Sequence, residues 1–331
     1  MLEVIYVTRH GFRSNWLVDP SNGNYTAFIK SPTGGAADPA LTAHGVDQAN
    51  ELAVRLLAAD PPIERVYSSL YYRCLQTVQP FVRQTQEAAS ETARGEPPSL
   101  KIRGETGLGE WYGSADFEHP VPASLGKLDP LFPGLLDPDY GPAVTPSRMG
   151  EGIDELHGRV AATMEALIAQ CDRDGVRAIL LCSHAAVIIA LGRVLTGQMP
   201  DSIETDDFKC FTCGLSAYRR RRGQGPKTEG MDELAREPTA ARDADHHGKG
   251  GTAMSWRGGR GVSGGWDCEL NSDCTHLSLG QERGWRFSGD ESFKDMATGQ
   301  SMLDTTTRLG AGPDDRSKDF GSRAESSRGK L

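Results

Sequence analysis

Residues 2–8, LEVIYVT, are mostly apolar and β-branched with no regular alternation, and they run straight into Arg9-His10-Gly11. A strand that does not alternate is buried on both faces, the condition met inside a parallel sheet covered by helices on each side. Sheets of that kind bind ligands beyond the carboxyl ends of their strands. This strand therefore delivers a guanidinium and an imidazole to a place where chemistry is commonly done.

The rest of the first two thirds repeats the pattern. From Thr42, an N-cap residue, Val46, Ala49, Leu52, Ala53, Leu56 and Leu57 keep helical spacing until Asp60-Pro61-Pro62 stops them. Residues 63–68 predict a second strand, and a helix starting near Tyr71 carries Arg73 in its first turn. Residues 100–108 read as a third strand and its exit, followed by Gly109-Glu110-Trp111-Tyr112-Gly113. Residues 114–149, rich in Pro and Gly, read as a surface excursion or lid. Ile153, Leu156, Val160, Met164, Leu167, Ile168 and Cys171 restore a helical stripe, 178–183 is a buried strand ending at His184, a helix runs to about Thr196, and 208–218 predicts one more strand. The expected fold is a three-layer α/β/α domain with a mostly parallel sheet over residues 1–222.

Beyond that the composition changes. Leu234 and Val262 are the only Leu, Ile, Val or Phe in 223–265, so this glycine-rich insertion is expected to be disordered: it cannot bury enough apolar surface to offset its ordering entropy. Residues 266–294 are expected to return to the domain, with a strand pair around Asn271-Ser272-Asp273, and 295–331 to form a disordered tail. A net charge of -9 argues against a general nucleic-acid coat or a polybasic membrane binder. With no apolar run of membrane-spanning length and no basic leader, a soluble protein of cytoplasm or nucleus is expected.

Four strand ends thus carry Arg9 with His10, then Arg73, Glu110 and His184. Each has a plainer reading: an incidental pair at a strand end, a solvated helix arginine, a structural carboxylate, a core histidine. Glu105 and Glu118 lie close enough in sequence to Glu110 to compete with it as an acid. Trp16, Trp111 and Tyr112 are candidate pocket walls or ordinary packing. Cys210, Cys213, Cys268, Cys274 and His276 include enough soft ligands for zinc, although an ordinary strand explains the spacing of the first pair. Arg219 to Arg222 fit a nuclear signal, an anion patch or a solvated strand end. His44, His157, His246 and His247 are not assigned as ligands.

Taken together, Arg9-His10-Gly11, Leu41-Thr42-Ala43-His44-Gly45 with Gln48-Ala49, Ser68-Ser69 with Arg73 and Gln76-Thr77, Leu108 to Gly113, and Ser183-His184 resemble the histidine phosphatase superfamily on its phosphoglycerate mutase-like branch. The strings RHGFRSNW, GLGEWYG and ERGWRFSGD further resemble a fungal subgroup that includes the phosphatase-like subunit of the RNA polymerase III assembly factor. The resemblance implies a phosphomonoester hydrolase in which His10 becomes a phosphohistidine. Arg9, Arg73 and His184 would hold the transferring group, and Glu110 would act as proton donor, with no metal and no cofactor. It also implies phosphate or substrate contacts for Arg13, Ser14 and Asn15. Expected partners are a phosphorylated small molecule or phosphoprotein as substrate and protein partners in a transcription assembly, with no direct nucleic-acid contact and no membrane. A phosphoglycerate mutase-like phosphotransferase and an assembly subunit that keeps the fold are the alternatives.

Overall fold

The computed structural model describes residues 1–19, 22–27, 31–35, 37–92, 100–203, 205–222 and 255–287. Strand β1 (Val4–Arg9) is buried at every position, as the non-alternating apolar run at its centre, residues 4–7, requires. It is followed by a hairpin of β2 (Trp16–Asp19) and β3 (Asn24–Ala27), then α1 (Ala43–Leu57), β4 (Arg65–Ser68), α2 (Tyr72–Thr92), β5 (Ile102–Gly104) and the one-turn α3 (Leu125–Leu128). The chain continues through α4 (Ile153–Asp174), β6 (Ala178–Ser183), α5 (Ala185–Thr196), β7 (Leu215–Arg220) and β8 (Trp266–Asp273).

The main sheet has the order β5-β4-β6-β1-β7-β8. Its first four strands are parallel, and β7 and β8 add an antiparallel edge. Successive residues of β1 serve opposite layers: Val4 and Tyr6 pack with Leu52, Leu56, Leu75 and Val78 of α1 and α2, Ile5 and Val7 with Leu156, Met164, Val187 and Leu191 of α4 and α5. Full burial of each such aliphatic side chain contributes about 1.5–3 kcal/mol. The architecture is the expected three-layer α/β/α. The carboxyl ends of β1, β4, β5 and β6 lie along one edge, and Thr42 caps α1 there by accepting the Gly45 N–H at 3.1 Å.

Several expectations need correction. Residues 208–214 are a loop, not the start of a strand: Cys213 takes φ 53° and donates its N–H to the Arg9 carbonyl at 3.1 Å, so apart from a single bridge of Thr212 to Arg9 the strand spans 215–220. No hairpin turns at Asn271-Ser272-Asp273. These residues continue β8, where Ser272 (φ 55°) forms a bulge and donates its N–H to Ser216 Oγ at 2.8 Å. The excursion 114–149 is partly core, since Leu128, Phe132, Leu135 and Leu136 are buried beside α1 and α2. The hairpin of β2 and β3 has no counterpart in the sequence reading.

Residues 255–265 are folded, although composition placed them in the insertion. Trp256 and Val262 are buried against α4 and α5, and the glycines are structural: at Gly261, φ 68°, a Cβ would stand 2.1 Å from the Leu195 carbonyl oxygen. Residues 223–254 and the expected tail 295–331 lie outside the described residues. The basic run is neutralised locally, Arg219 by Glu269, Arg220 by Asp172 and Arg221 by Asp267. No helix among the described residues is long and apolar enough to cross a membrane.

Candidate active site

His10 is the first residue beyond β1, and its backbone N–H donates to the Ser183 carbonyl at 3.1 Å, joining the ends of β1 and β6. Its ring Nδ1 lies 2.9 Å from the Gly11 carbonyl oxygen. A carbonyl only accepts, so Nδ1 carries the hydrogen and Nε2 keeps its lone pair. Burial pushes the His10 pKa well below its ordinary value, and the charges of Arg73, Arg13, Arg9 and His184 push the same way. The imidazole is therefore neutral and free to act as a nucleophile. Gly11 permits this close packing: a Cβ there would lie 2.8 Å from the Gly45 carbonyl oxygen.

Around it stand groups from each of the other strand ends. Arg73, fully buried in the first turn of α2, donates through Nη1 to the Ala37 carbonyl at 3.1 Å and to Asp38 at 3.2 Å. Its Nη2 reaches Glu110 Oε2 at 3.0 Å. His184 caps α5 and lies with its ring centroid 5.5 Å from that of His10. Its Nδ1 is 3.2 Å from Glu110 Oε2 and its Nε2 2.8 Å from Ser69 Oγ. Burial alone would lower the His184 pKa, but the neighbouring Cys74 sulfur and Glu110 carboxylate outweigh it and raise the value. At Glu110 burial would raise the pKa, while His184, Arg73 and Arg13 hold it far below the usual carboxylate range.

Arg9 donates through Nη1 to the carbonyls of Cys210, at 2.8 Å, and Arg283. Arg13 lies with its guanidinium 3.8 Å above the Trp16 ring, and Trp16 also covers Arg73 at 5.1 Å. Three arginine side chains and two histidines thus enclose one small space beside a carboxylate. The ligand atoms of His10, Glu110 and His184 fall within 4.8 Å of one another. These are donor types a divalent cation takes, yet Arg73 already occupies the carboxylate and Arg9 and Arg13 repel a cation. The charge balance favours a tetrahedral oxyanion.

The histidine phosphatase superfamily (branch 1) matches residues 5–230. The chain belongs to the histidine phosphatase superfamily. Among its relatives, the transcription factor tau 55 kDa subunit of Saccharomyces cerevisiae is 30% identical over 298 residues, covering 87% of this chain and 59% of that protein. The ecdysteroid-phosphate phosphatase of Drosophila melanogaster is 31% identical over 177 residues, 52% of this chain and 22% of that one. The chain therefore spans less than two thirds of the length of these relatives. A crystal structure of the Bombyx mori ecdysone phosphate phosphatase with tungstate aligns at a TM-score of 0.49 and 22% identity, covering 74% of this chain and 97% of that one.

In this histidine phosphatase domain the competing carboxylates are engaged elsewhere. Glu105 is fully buried and accepts from the Tyr140 hydroxyl at 2.6 Å and the Ala143 N–H at 2.8 Å, pinning the excursion to β5. Glu118 pairs with Arg148 at the surface. Ser14 Oγ is buried with no hydrogen-bond partner, whereas Asn15 is exposed and its Oδ1 accepts from Arg283 at 2.9 Å. Tyr112 and Trp16 stand over the site, but Trp111 packs on Trp285 and Phe287. The cysteines and histidine weighed against a zinc site form no ligand cluster among the described residues: Cys210 faces the Trp285 carbonyl, Cys268 that of Leu270, Cys274 that of Ser272, and His276 that of Cys213.

Sequence reasoning missed the supports. Arg159 of α4 grips Glu151 through Nε at 2.7 Å and donates through Nη1 to the carbonyls of Gly107 and Gly109, fixing the segment that presents Glu110. A charged residue beside Val160 and Met164 in an apolar stripe was the available signal. Next to Glu110 opens a cavity of about 320 Å³ whose walls include Leu70, Tyr71, Tyr112, Val121 and Pro122.

Proposed function

We propose that this chain is a phosphomonoester hydrolase working through a phosphohistidine on His10. The observation that carries the reading is a neutral imidazole with its Nε2 lone pair free, set among Arg9, Arg13, Arg73 and His184. The Nε2 lone pair attacks phosphorus as the bond to the ester oxygen breaks, and the departing alkoxide takes a proton from Glu110. The surrounding cations keep Glu110 ionised, but an incoming phosphate dianion offsets them and raises its pKa toward protonation. Water then attacks the phosphohistidine and loses a proton to Glu110. The P–N bond breaks, its electron pair returns to Nε2, and inorganic phosphate leaves.

Arg9, Arg73 and His184 act by position and charge on the transferring oxygens, with Arg13 and Ser14 toward the substrate side. Asn15 would join them if its bond to Arg283 opened. The substrate is a phosphorylated small molecule or phosphoprotein. Hydrolysis is favoured over a mutase reaction because the cavity beside Glu110 is walled mainly by apolar and aromatic groups. A mutase needs cations there to retain an anionic product, and the one arginine at the cavity, Arg148, is paired with Glu118. Phosphate release from an aryl phosphate in EDTA tests this reading: the chain should turn over and His10→Ala should not, and equal rates would refute it.

The similarity to the yeast tau 55 kDa subunit over 298 residues supports a second, compatible role as a subunit of a nuclear transcription assembly. Native co-purification of other transcription factor subunits with the tagged chain tests that role. Their absence would count against it.

A further inference from the structure

The superfamily match ends at residue 230, yet Glu282 and Arg283, beyond β8, reach α1 and the Arg9 side chain. The Glu282 carboxylate accepts from Gln48 Nε2 at 2.7 Å and faces His44 Nε2 at 2.5 Å, both on α1. Its backbone carbonyl accepts the Thr212 N–H at 3.1 Å, and Thr212 in turn bridges to Arg9. Gln48 continues the chain of contacts, its Oε1 accepting the Phe12 N–H at 2.9 Å. The next residue, Arg283, takes a left-handed backbone, φ 50°, which is costly for a residue with a side chain and persists only where the surroundings impose it. In that conformation its carbonyl oxygen accepts from Arg9 Nη1.

We propose that residues 281–283 form a strap that sets the phosphate-binding arginine: Glu282 locks the strap to α1, and the Arg283 carbonyl fixes the Arg9 guanidinium. Glu282 and Arg283 are thus positioning residues. They act on the Arg9 side chain, whereas the backbone of residues 9–12 is tied separately to Ser183, Thr77, Gln48 and Cys213. Because Arg9 has one more fixed carbonyl at Cys210, releasing the strap loosens its guanidinium without removing it. The effect falls on oxyanion binding first.

This inference rests on the hydrolase reading, and inorganic orthovanadate separates the two because its binding needs no turnover. Glu282→Ala in the full chain should weaken orthovanadate about tenfold, the loss of one well-oriented charge-assisted bond. The KM for an aryl phosphate should rise by a larger factor than kcat falls. Glu282→Gln, which keeps an acceptor for Gln48 and a partner for His44, should restore most of the affinity, as a merely electrostatic role would not. Arg283→Gly keeps the carbonyl and suits the left-handed backbone, so it should weaken binding by less than Glu282→Ala. Should Glu282→Ala fail to fold by circular dichroism, His44→Ala, which drops one of the two ties, should weaken orthovanadate about threefold. Unchanged affinity in a folded Glu282→Ala or in His44→Ala, or a loss in Arg283→Gly equal to that in Glu282→Ala, would overturn the proposal. A native chain that binds no orthovanadate would instead overturn the hydrolase reading.

Discussion

Replacing Glu110 by Gln removes the one carboxylate in contact with both Arg73, at 3.0 Å, and His184, at 3.2 Å, while keeping its shape. Two consequences follow. The first is chemical: an amide cannot donate a proton to a leaving alkoxide, and general acid catalysis is typically worth about 10² to 10⁴ in rate. Hydrolysis of an alkyl phosphate should fall by that factor. Hydrolysis of nitrophenyl phosphate, whose leaving group needs little protonation, should fall about tenfold or less. The second is electrostatic. Unit charges 3.2 Å apart attract by about 5 kcal/mol at an effective dielectric of about 20. Losing even part of that lowers the His184 pKa, because its raised value owes part of its height to this carboxylate. Steady-state rates on the two substrates across pH measure both effects. Equal losses on both substrates would refute the proton-donor role, and an unmoved His184 titration would refute the electrostatic argument.

Other perturbations have defined outcomes. Since the His10 pKa lies below its ordinary value of about 6.5, its charged form appears only at more acidic pH. The acid limb of kcat/KM, where protonation of His10 removes the nucleophile, should therefore fall below pH 6.5, and a limb above it would contradict the burial argument. Arg159→Ala strands a buried carboxylate on Glu151 and two glycine carbonyls, so urea unfolding should report a loss of about 3–5 kcal/mol, with Arg159→Lys recovering little because the fork is lost. A loss under 1 kcal/mol would mean the segment before Glu110 is held by other contacts.

Arg9, His10, Arg73 and His184 could be read from sequence because strand ends in a parallel sheet converge by topology alone. An apolar run followed by a charged residue is then enough to place a side chain. The choice of Glu110 over Glu105 and Glu118 was not available by that route, since all three lie near the third strand. It turns on where Tyr140 and the Ala143 N–H go, a contact 35 or more positions distant in the chain. Residues 255–265 misled for a related reason: glycines that look like disorder are needed for backbone approach to Leu195 and Gly197, and only the partner's position reveals that. Glu282 and Arg283 reach α1 and Arg9 across more than 230 residues, a separation at which local patterning is silent.

The mechanism stands on a covalent bond between His10 Nε2 and phosphorus. Rapid mixing with a ³²P-labelled phosphomonoester, followed by an alkaline quench and peptide mapping, tests it most directly. An acid-labile, alkali-stable label should appear on His10, with neither label nor turnover in His10→Ala. Turnover without any label on His10, or a label carried by serine, would contradict it.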